Sequence, residues 1–262
     1  MTTASMEIKS CCAAAYSSMA ARFLLGDSFH PGGRELTSKL IRKLRVWPGS
    51  IVVDVASGLG TSALQLAREL GCDVIGVELS PTNVAAAARA ASQAGLSERV
   101  RFLVGDAEAL PLSDASMDGG LCECALCTFP DKRSAAAELA RVLRPGARLV
   151  LADTVAEPDR LPEELRCLAG WVACVADARP ASELSALLER AGFRIESVER
   201  HDDALAHLLE RVEARIRAAA LLDHDFGDAI DEGRGLGHAA REALGEGSLG
   251  YASILARRAE PQ

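Results

Sequence analysis

From residue 51 to residue 153 the chain alternates short apolar runs with helical patterns, and this rhythm restricts the fold more than any other feature. The runs at 51–55, 73–78, 100–104, 117–123 and 147–153 read as strands, and 61–70, 81–95 and 131–143 read as helices. Strands joined through helices must cross over, which gives a parallel sheet covered on both faces. Such sheets bind ligands at the carboxyl ends of their strands. The residues due there are Asp54 with the turn through Gly60, then Glu78, Gly105 to Ala107, Cys122 to Cys124, and Asp153 with Thr154. Acid, amide and thiol groups are thus expected on one rim.

The first of these turns, Ile51 to Gly60, has the character of a nucleotide pocket. Glycines at 58 and 60 let a ligand come close to the backbone, the helix starting at Thr61 offers free amides, and Glu78 ends the next strand. Taken alone, a Gly-x-Gly also suits any tight strand-to-helix turn.

Upstream, residues 8–25 show helical spacing that includes Tyr16, Phe23 and Leu24. The punctuated stretch from Gly26 to Gly33 breaks it, and a second helix is expected from Leu36 to Leu44. Downstream, helices are expected from Leu161 to about Cys174 and from Ala181 to Ala191, with strands from Phe193 to Arg200 and from Leu249 to Arg257. Residues 203–247 read as helical up to Leu222 and then as glycine-rich, acidic chain, a candidate lid or self-association surface.

With 49% apolar residues in a chain of 262, a substantial core can form. A net charge of −8 leaves no electrostatic footprint for nucleic acid. The first ten residues lack the basic and apolar segments of a signal peptide, and no run approaches the ~20 apolar residues of a membrane span. A cytoplasmic protein with neither nucleic acid nor membrane as partner is expected. Eight cysteines without a secretion signal argue for reduced thiols rather than a disulfide framework. A single buried cysteine is ordinarily a small hydrophobe, but here Cys122, Cys124 and Cys127 cluster, Cys167 and Cys174 follow, and Cys11 adjoins Cys12. The cluster lacks the paired knuckles of a structural zinc site. His30, and His224 between Asp223 and Asp225, are most simply hydrogen-bonding or surface residues.

Asp54 to Gly60, Glu78, Gly105 to Ala107, the strand reaching Glu123, and Arg144 to Leu151 together resemble class I S-adenosylmethionine-dependent methyltransferases over about residues 45–200. The resemblance implies an α/β fold with a Rossmann-like, doubly wound seven-stranded sheet. Around it come a helical N-terminal cap (1–46), the core (47–202), a helical insertion (203–247) and a last core strand with tail (248–262). It implies S-adenosylmethionine as cofactor, with Gly58 and Gly60 facing its methionine and ribose, Glu78 on the ribose hydroxyls and Asp106 on the adenine amino group. A ribose diol needs paired acceptors, which a carboxylate provides. Cofactor contacts are expected from Asp54, Ala56, Ser57, Gly58, Gly60, Glu78, Leu79, Asp106, Ala107 and Glu123. Ala56 stands where that family has its first glycine, so the turn must accommodate a methyl group. A dinucleotide-dependent dehydrogenase would explain Glu78 but neither Asp106 nor the late antiparallel strand pair.

Glu123 to Lys132 is similar to the segment of arsenite methyltransferases in which a cysteine binds the metalloid, with Cys124 in its place. Leu161 to Arg166 and then Cys174 resemble the segment carrying their second arsenic-binding cysteine. The resemblance implies Cys124 and Cys174 as thiolate ligands of arsenic(III), with Cys122 as a further candidate. Asp27 falls where many members place an upstream cysteine, so Cys11 or Cys12 would have to reach in as the third thiol. Cys127 replaces an asparagine of that family, Ala176 and Asp177 replace glycines, and its separate C-terminal domain has no clear counterpart. Trivalent arsenic is soft, prefers thiolates and keeps a lone pair that can attack a sulfonium methyl without a general base. On a strand, positions 122 and 124 share a face, which aims both thiols at one site and Glu123 away unless the strand has ended. The acceptor implied is a metalloid, arsenite first, with a cellular thiol as reductant. Antimonite, selenols, small thiols and organic natural products stay open as acceptors, as does a non-catalytic metalloid sensor.

Overall fold

The computed structural model describes residues 3–26, 29–167, 169–170, 173–222 and 227–260. Its strands are β1 (Ile51–Val55), β2 (Asp73–Glu78), β3 (Val100–Val104), β4 (Met117–Glu123), β5 (Leu143–Ala156), β6 (Phe193–Arg200) and β7 (Leu249–Arg258). They form a single seven-stranded sheet in the order β3-β2-β1-β4-β5-β7-β6. Pairing is parallel from β3 through β5, and β7 runs antiparallel between β5 and β6. The chain winds outward from β1 to β3 and then returns to place β4 on the other side of β1. That reversal opens a crevice at the carboxyl ends of β1 and β4, the usual ligand position in a doubly wound sheet.

Burial explains why these segments are so apolar. Val52, Val53 and Val55 of β1 are all essentially inaccessible, as a strand covered on both faces requires. On one face pack α3 (Gly33–Ile41) and α4 (Thr61–Leu70), through Leu36, Leu40, Ala63 and Leu66. On the other pack α6 (Lys132–Val142) and α7 (Ala181–Arg190), through Ala135, Leu139, Leu184 and Leu188. The helix α5 (Pro81–Gln93) starts from Ser80, whose hydroxyl accepts from the Asn83 amide at 3.3 Å, with Pro81 in its first turn.

Three segments differ from the sequence expectation. The helix expected over 8–25 is two helices, α1 (Thr3–Ser17) and α2 (Met19–Leu25), because Ser18 leaves the helical region and caps α2 by accepting from the Ala21 amide at 3.0 Å. The helix expected from Leu161 to Cys174 is cut short. Glu163–Arg166 makes a single 3-10 turn, Cys167 is extended at ψ 177°, and the Arg166 guanidinium folds back onto the Leu161 carbonyl. The glycine-rich half of 203–247 is helical: α8 (Asp202–Leu222) is followed by α9 (Gly227–Gly245). Packing overrides the low helix propensity of glycine there, since a Cβ on Gly233 would stand 3.3 Å from Ile216, and one on Gly237 3.4 Å from Glu213. This helical pair joins β6 to β7 and covers the sheet through Leu205, Ala239 and Ala243. Among the described residues, no helix is long and apolar enough to cross a membrane.

Gly60 shows how tightly the first turn is drawn. It adopts φ +80° as the residue preceding α4, and a Cβ on it would lie 2.5 Å from the Phe102 ring and 3.0 Å from the Ala87 methyl. Gly60→Ala is expected to destabilise the fold by about 1–3 kcal/mol, read as a lower urea midpoint at unchanged slope.

Candidate active site

The crevice at β1 and β4 is lined by Asp54, Ala56, Ser57, Gly58, Glu78, Leu79, Asp106, Ala107 and Glu123, nine of the ten residues expected around a cofactor. Gly60 is not on its wall; it stands behind the turn, against Phe102. The turn closes on itself, with the Gly60 amide donating to the Ser57 carbonyl at 2.8 Å and the Ser57 amide to the Val77 carbonyl at 3.1 Å. Ala56, at the place of a missing glycine, does take a left-handed backbone, φ 58°. A side chain there costs about 1–2 kcal/mol, which the surrounding sheet imposes.

Three carboxylates converge on this end. Asp54 is buried, and burial, then the Glu123 and Glu78 charges, push its carboxyl well above the usual range. Glu78 is raised by burial while accepting from the Gly58 amide at 3.1 Å and the Ser80 amide at 2.9 Å. Glu123 accepts from Thr37 at 3.0 and 3.2 Å and from Ser62 at 2.6 Å, and His30 Nε2 stands 3.7 Å from it. At the far end of the crevice, Lys9 of α1 pairs with Asp106 at 2.6 Å and with Glu108.

The thiols gather beside Glu123, by a route the strand rule does not give. β4 ends at Glu123 and Cys124 takes φ 52°, so the alternation of a strand stops one residue early. Glu123 therefore faces the crevice, and Cys122 does not join Cys124. Cys122 is fully buried in the opposite layer with Leu126 and Leu139, which corrects the expectation that the two thiols share a face. Cys174, also left-handed at φ 64°, lies against the Cys124 carbonyl at 3.6 Å, and Tyr16 of α1 hydrogen-bonds to its sulfur at 3.2 Å.

Cys127, marked in the sequence both as part of the cysteine cluster and as a departure from the resembled segment, is buried close to this group. Hydrogen bonds from Cys124 and Cys127 hold the Cys174 thiol well below its usual range despite burial, helped by Tyr16 and the Lys132 charge. Burial, together with hydrogen bonds to Cys124 and Cys174, pushes Cys127 up. Cys124, although it accepts from Cys127, is raised by its bond to Cys174 and by burial. Negative charge is thus favoured on Cys174 over Cys124 and Cys127. Beneath it, burial and the Cys174 charge lift Asp153 to about 7. Cys12 lines the crevice near Cys174 and is pushed up to about 11 by burial, whereas Cys11 is half-buried and off its wall. Asp27, Asp223, His224 and Asp225 lie outside the described residues. Tyr16, Thr37 and Ser62 escaped sequence reading as site residues, whereas Asp153 was expected at the rim.

The methyltransferase domain family matches residues 53–151. An O-methyltransferase of Aspergillus nomiae, rstn1, is 30% identical over 169 residues, 64% of this chain and 75% of the relative. The chain belongs to the class I S-adenosylmethionine-dependent methyltransferases. Methyltransferase GfsG of Streptomyces halstedii is 33% identical over 170 residues, 64% of this chain and 61% of its own length. An arsenite methyltransferase of Halobacterium salinarum is 32% identical over 162 residues, 60% of this chain and 40% of its own. The chain therefore spans less than two thirds of these last two relatives. In fold it resembles the geranyl diphosphate C-methyltransferase of Streptomyces coelicolor bound to S-adenosylhomocysteine, with TM-score 0.76, 17% identity, and 96% and 98% of the two chains covered.

The crevice of this methyltransferase fits its cofactor, S-adenosylmethionine. Asp54 Oδ2 and Ser57 Oγ are buried without a hydrogen-bond partner among the described residues, and the surrounding acids form a field that suits the sulfonium and ammonium charges. Left-handed backbone at Cys124 and Cys174 is a cost that side-chain packing alone does not require. In the methyltransferase, Cys124→Gly is expected to be more stable than Cys124→Ala by up to about 1 kcal/mol, the reverse of the usual order, measured by urea unfolding.

Proposed function

We propose that this methyltransferase transfers methyl from S-adenosylmethionine to a trivalent metalloid held by cysteine thiols, with arsenite as the acceptor. The observation that carries the reading is that Cys124 lines the cofactor crevice and Cys174 lies behind it, its sulfur 3.6 Å from the Cys124 carbonyl, both on left-handed backbone. Soft arsenic(III) prefers sulfur, and the lowered Cys174 thiol favours its capture. S-adenosylmethionine supplies an electrophilic methyl on a sulfonium sulfur. Asp54, Glu78 and Glu123 would hold that cation, and Asp106 the adenine, once Lys9 shares or yields its carboxylate. The thiols fix the acceptor so that its lone pair lies in line with the methyl, and Tyr16 and Phe29, with ring centroids 5.7 Å apart, exclude water. No proton has to be removed from arsenic, so no general base is required.

A second reading has an observation of its own. His30 lines the crevice beside Glu123, and such a pair could take a proton from a hydroxyl or thiol acceptor. The O-methyltransferase relative agrees with it. A panel of arsenite, selenite, small thiols and phenols, with mass detection of methylated products, separates the readings. Methylated arsenic from the wild type, and its loss in the Cys124→Ser, Cys174→Ser double variant, are expected. Turnover of an organic acceptor that survives the double substitution would transfer the assignment to His30. Cofactor binding without transfer to any acceptor would make the protein a metalloid sensor. For the cofactor itself, Asp106→Ala is expected to weaken S-adenosylmethionine binding by about tenfold, measured calorimetrically; unchanged affinity would remove the adenine from that position.

A further inference from the structure

The first turn of α5 brings to the crevice a polar side chain that no motif marks. Pro81 opens the helix and the Asn83 backbone amide donates to the Ser80 hydroxyl, so Asn83 stands in the first helical turn after Glu78. It lines the crevice together with Glu78 and Leu79, although only 1% of the residue is accessible. Neither its Nδ2 nor its Oδ1 has a hydrogen-bond partner among the described residues. A carboxamide carries two donors and an acceptor with two lone pairs, and burying it unpaired costs free energy that a leucine of similar shape would not. The packing of α5 is served by Ala87 and Ala91, both inaccessible. The amide is thus unmatched within the protein and borders a ligand site.

Glu78 indicates what would match it. Its Oε1 accepts from the Ser80 amide at 2.9 Å and its Oε2 from the Gly58 amide at 3.1 Å. Each oxygen keeps a lone pair for a hydroxyl, but a carboxylate can only accept. A ribose diol held by Glu78 alone would have both O–H donors satisfied and its oxygen lone pairs left against a buried wall. An amide in the adjoining turn is the complementary group, because its N–H bonds can donate to those oxygens. Burial raises the Glu78 carboxyl, and Asn83 is among the neighbours that oppose the rise, although its amide stays outside hydrogen-bond geometry.

We propose that Asn83 is a cofactor-binding residue of this methyltransferase, its amide donating to the ribose oxygens whose hydroxyls donate to Glu78. The two side chains then read the diol from opposite sides, one by accepting and the other by donating. The assignment goes beyond the choice of acceptor, because every acceptor considered above takes its methyl from the same cofactor. Ser80 sets the spacing of the pair. Its hydroxyl holds the Asn83 backbone amide, and its own amide holds Glu78. The same hydroxyl stands 2.6 Å from that of Ser17, so α1 braces the turn from outside.

The test is a calorimetric cycle on the full chain with two ligands, S-adenosylhomocysteine and its 2′,3′-dideoxyribose analogue. In the wild type, loss of the two hydroxyls is expected to weaken binding by about a hundredfold. Asn83→Leu keeps the shape and removes the amide. It is expected to weaken S-adenosylhomocysteine by about tenfold but the dideoxy analogue by no more than about twofold, since the lost partner is already missing there. Asn83→Ala makes the same comparison without the bulk of leucine, and a single cooperative urea transition reports an intact fold in each variant. Unchanged S-adenosylhomocysteine affinity in both variants, or an equal loss for the two ligands, would overturn the assignment of Asn83 while leaving Glu78 on the ribose. A wild type that binds the two ligands equally would remove the ribose from both residues.

Discussion

The site depends on where β4 stops. A strand continued by one residue would send Glu123 away from the crevice and return Cys124 to the layer that buries Cys122. Instead the left-handed Cys124 ends the alternation, so two consecutive residues, Glu123 and Cys124, line the same cleft. Glu123 is in turn fixed by Thr37 of α3 and Ser62 of α4, one from the cap and one from the core. A single buried carboxylate thus joins the cap, the glycine turn and the strand end. Leaving its hydrogen-bonding oxygens unpaired in this setting would cost several times what a surface contact yields.

On either side of that carboxylate the chemistry divides. Toward β1 and β2 the crevice is acidic and hard, suited to cationic sulfonium and ammonium groups; toward β5 it is made of polarisable sulfur. The division is kept by what stands behind each half. Asp153 sits under the thiols, holding the Cys127 amide. Hydrogen bonds from Cys124 and Cys127 lower the Cys174 thiol against burial, and Lys132, paired with Asp177, adds a smaller favourable field.

The fold was legible because its evidence is periodic and local. Valine-rich runs between helical patterns specify crossovers, and the ends of those strands were located to within a residue for β1, β2, β3 and β4. The cofactor crevice followed from the same ends. What periodicity does not encode is the conformation of the residue after a strand, and that one torsion separates Cys124 from the core-buried Cys122. It also does not encode partners distant in sequence: Tyr16 meets Cys174 across 158 positions, and Thr37 meets Glu123 across 86. The glycine-rich half of 203–247 misled for a related reason, since Gly233 and Gly237 serve close packing of α9 on α8 rather than chain reversal.

Tyr16 also shows why the N-terminal helix belongs to the site rather than beside it. Lys9 and Tyr16 are seven residues apart, about two turns or roughly 10 Å along α1. Lys9 reaches Asp106 at one end of the crevice, Tyr16 reaches the Cys174 sulfur at the other, and Cys12 lies between them on the same face. A rigid rod touching both ends cannot leave one without straining the other. Ser17 adds a third hold, its hydroxyl 2.6 Å from that of Ser80, the residue that caps α5 just beyond Glu78. Three contacts of one helix thus span the crevice from Asp106 to Cys174.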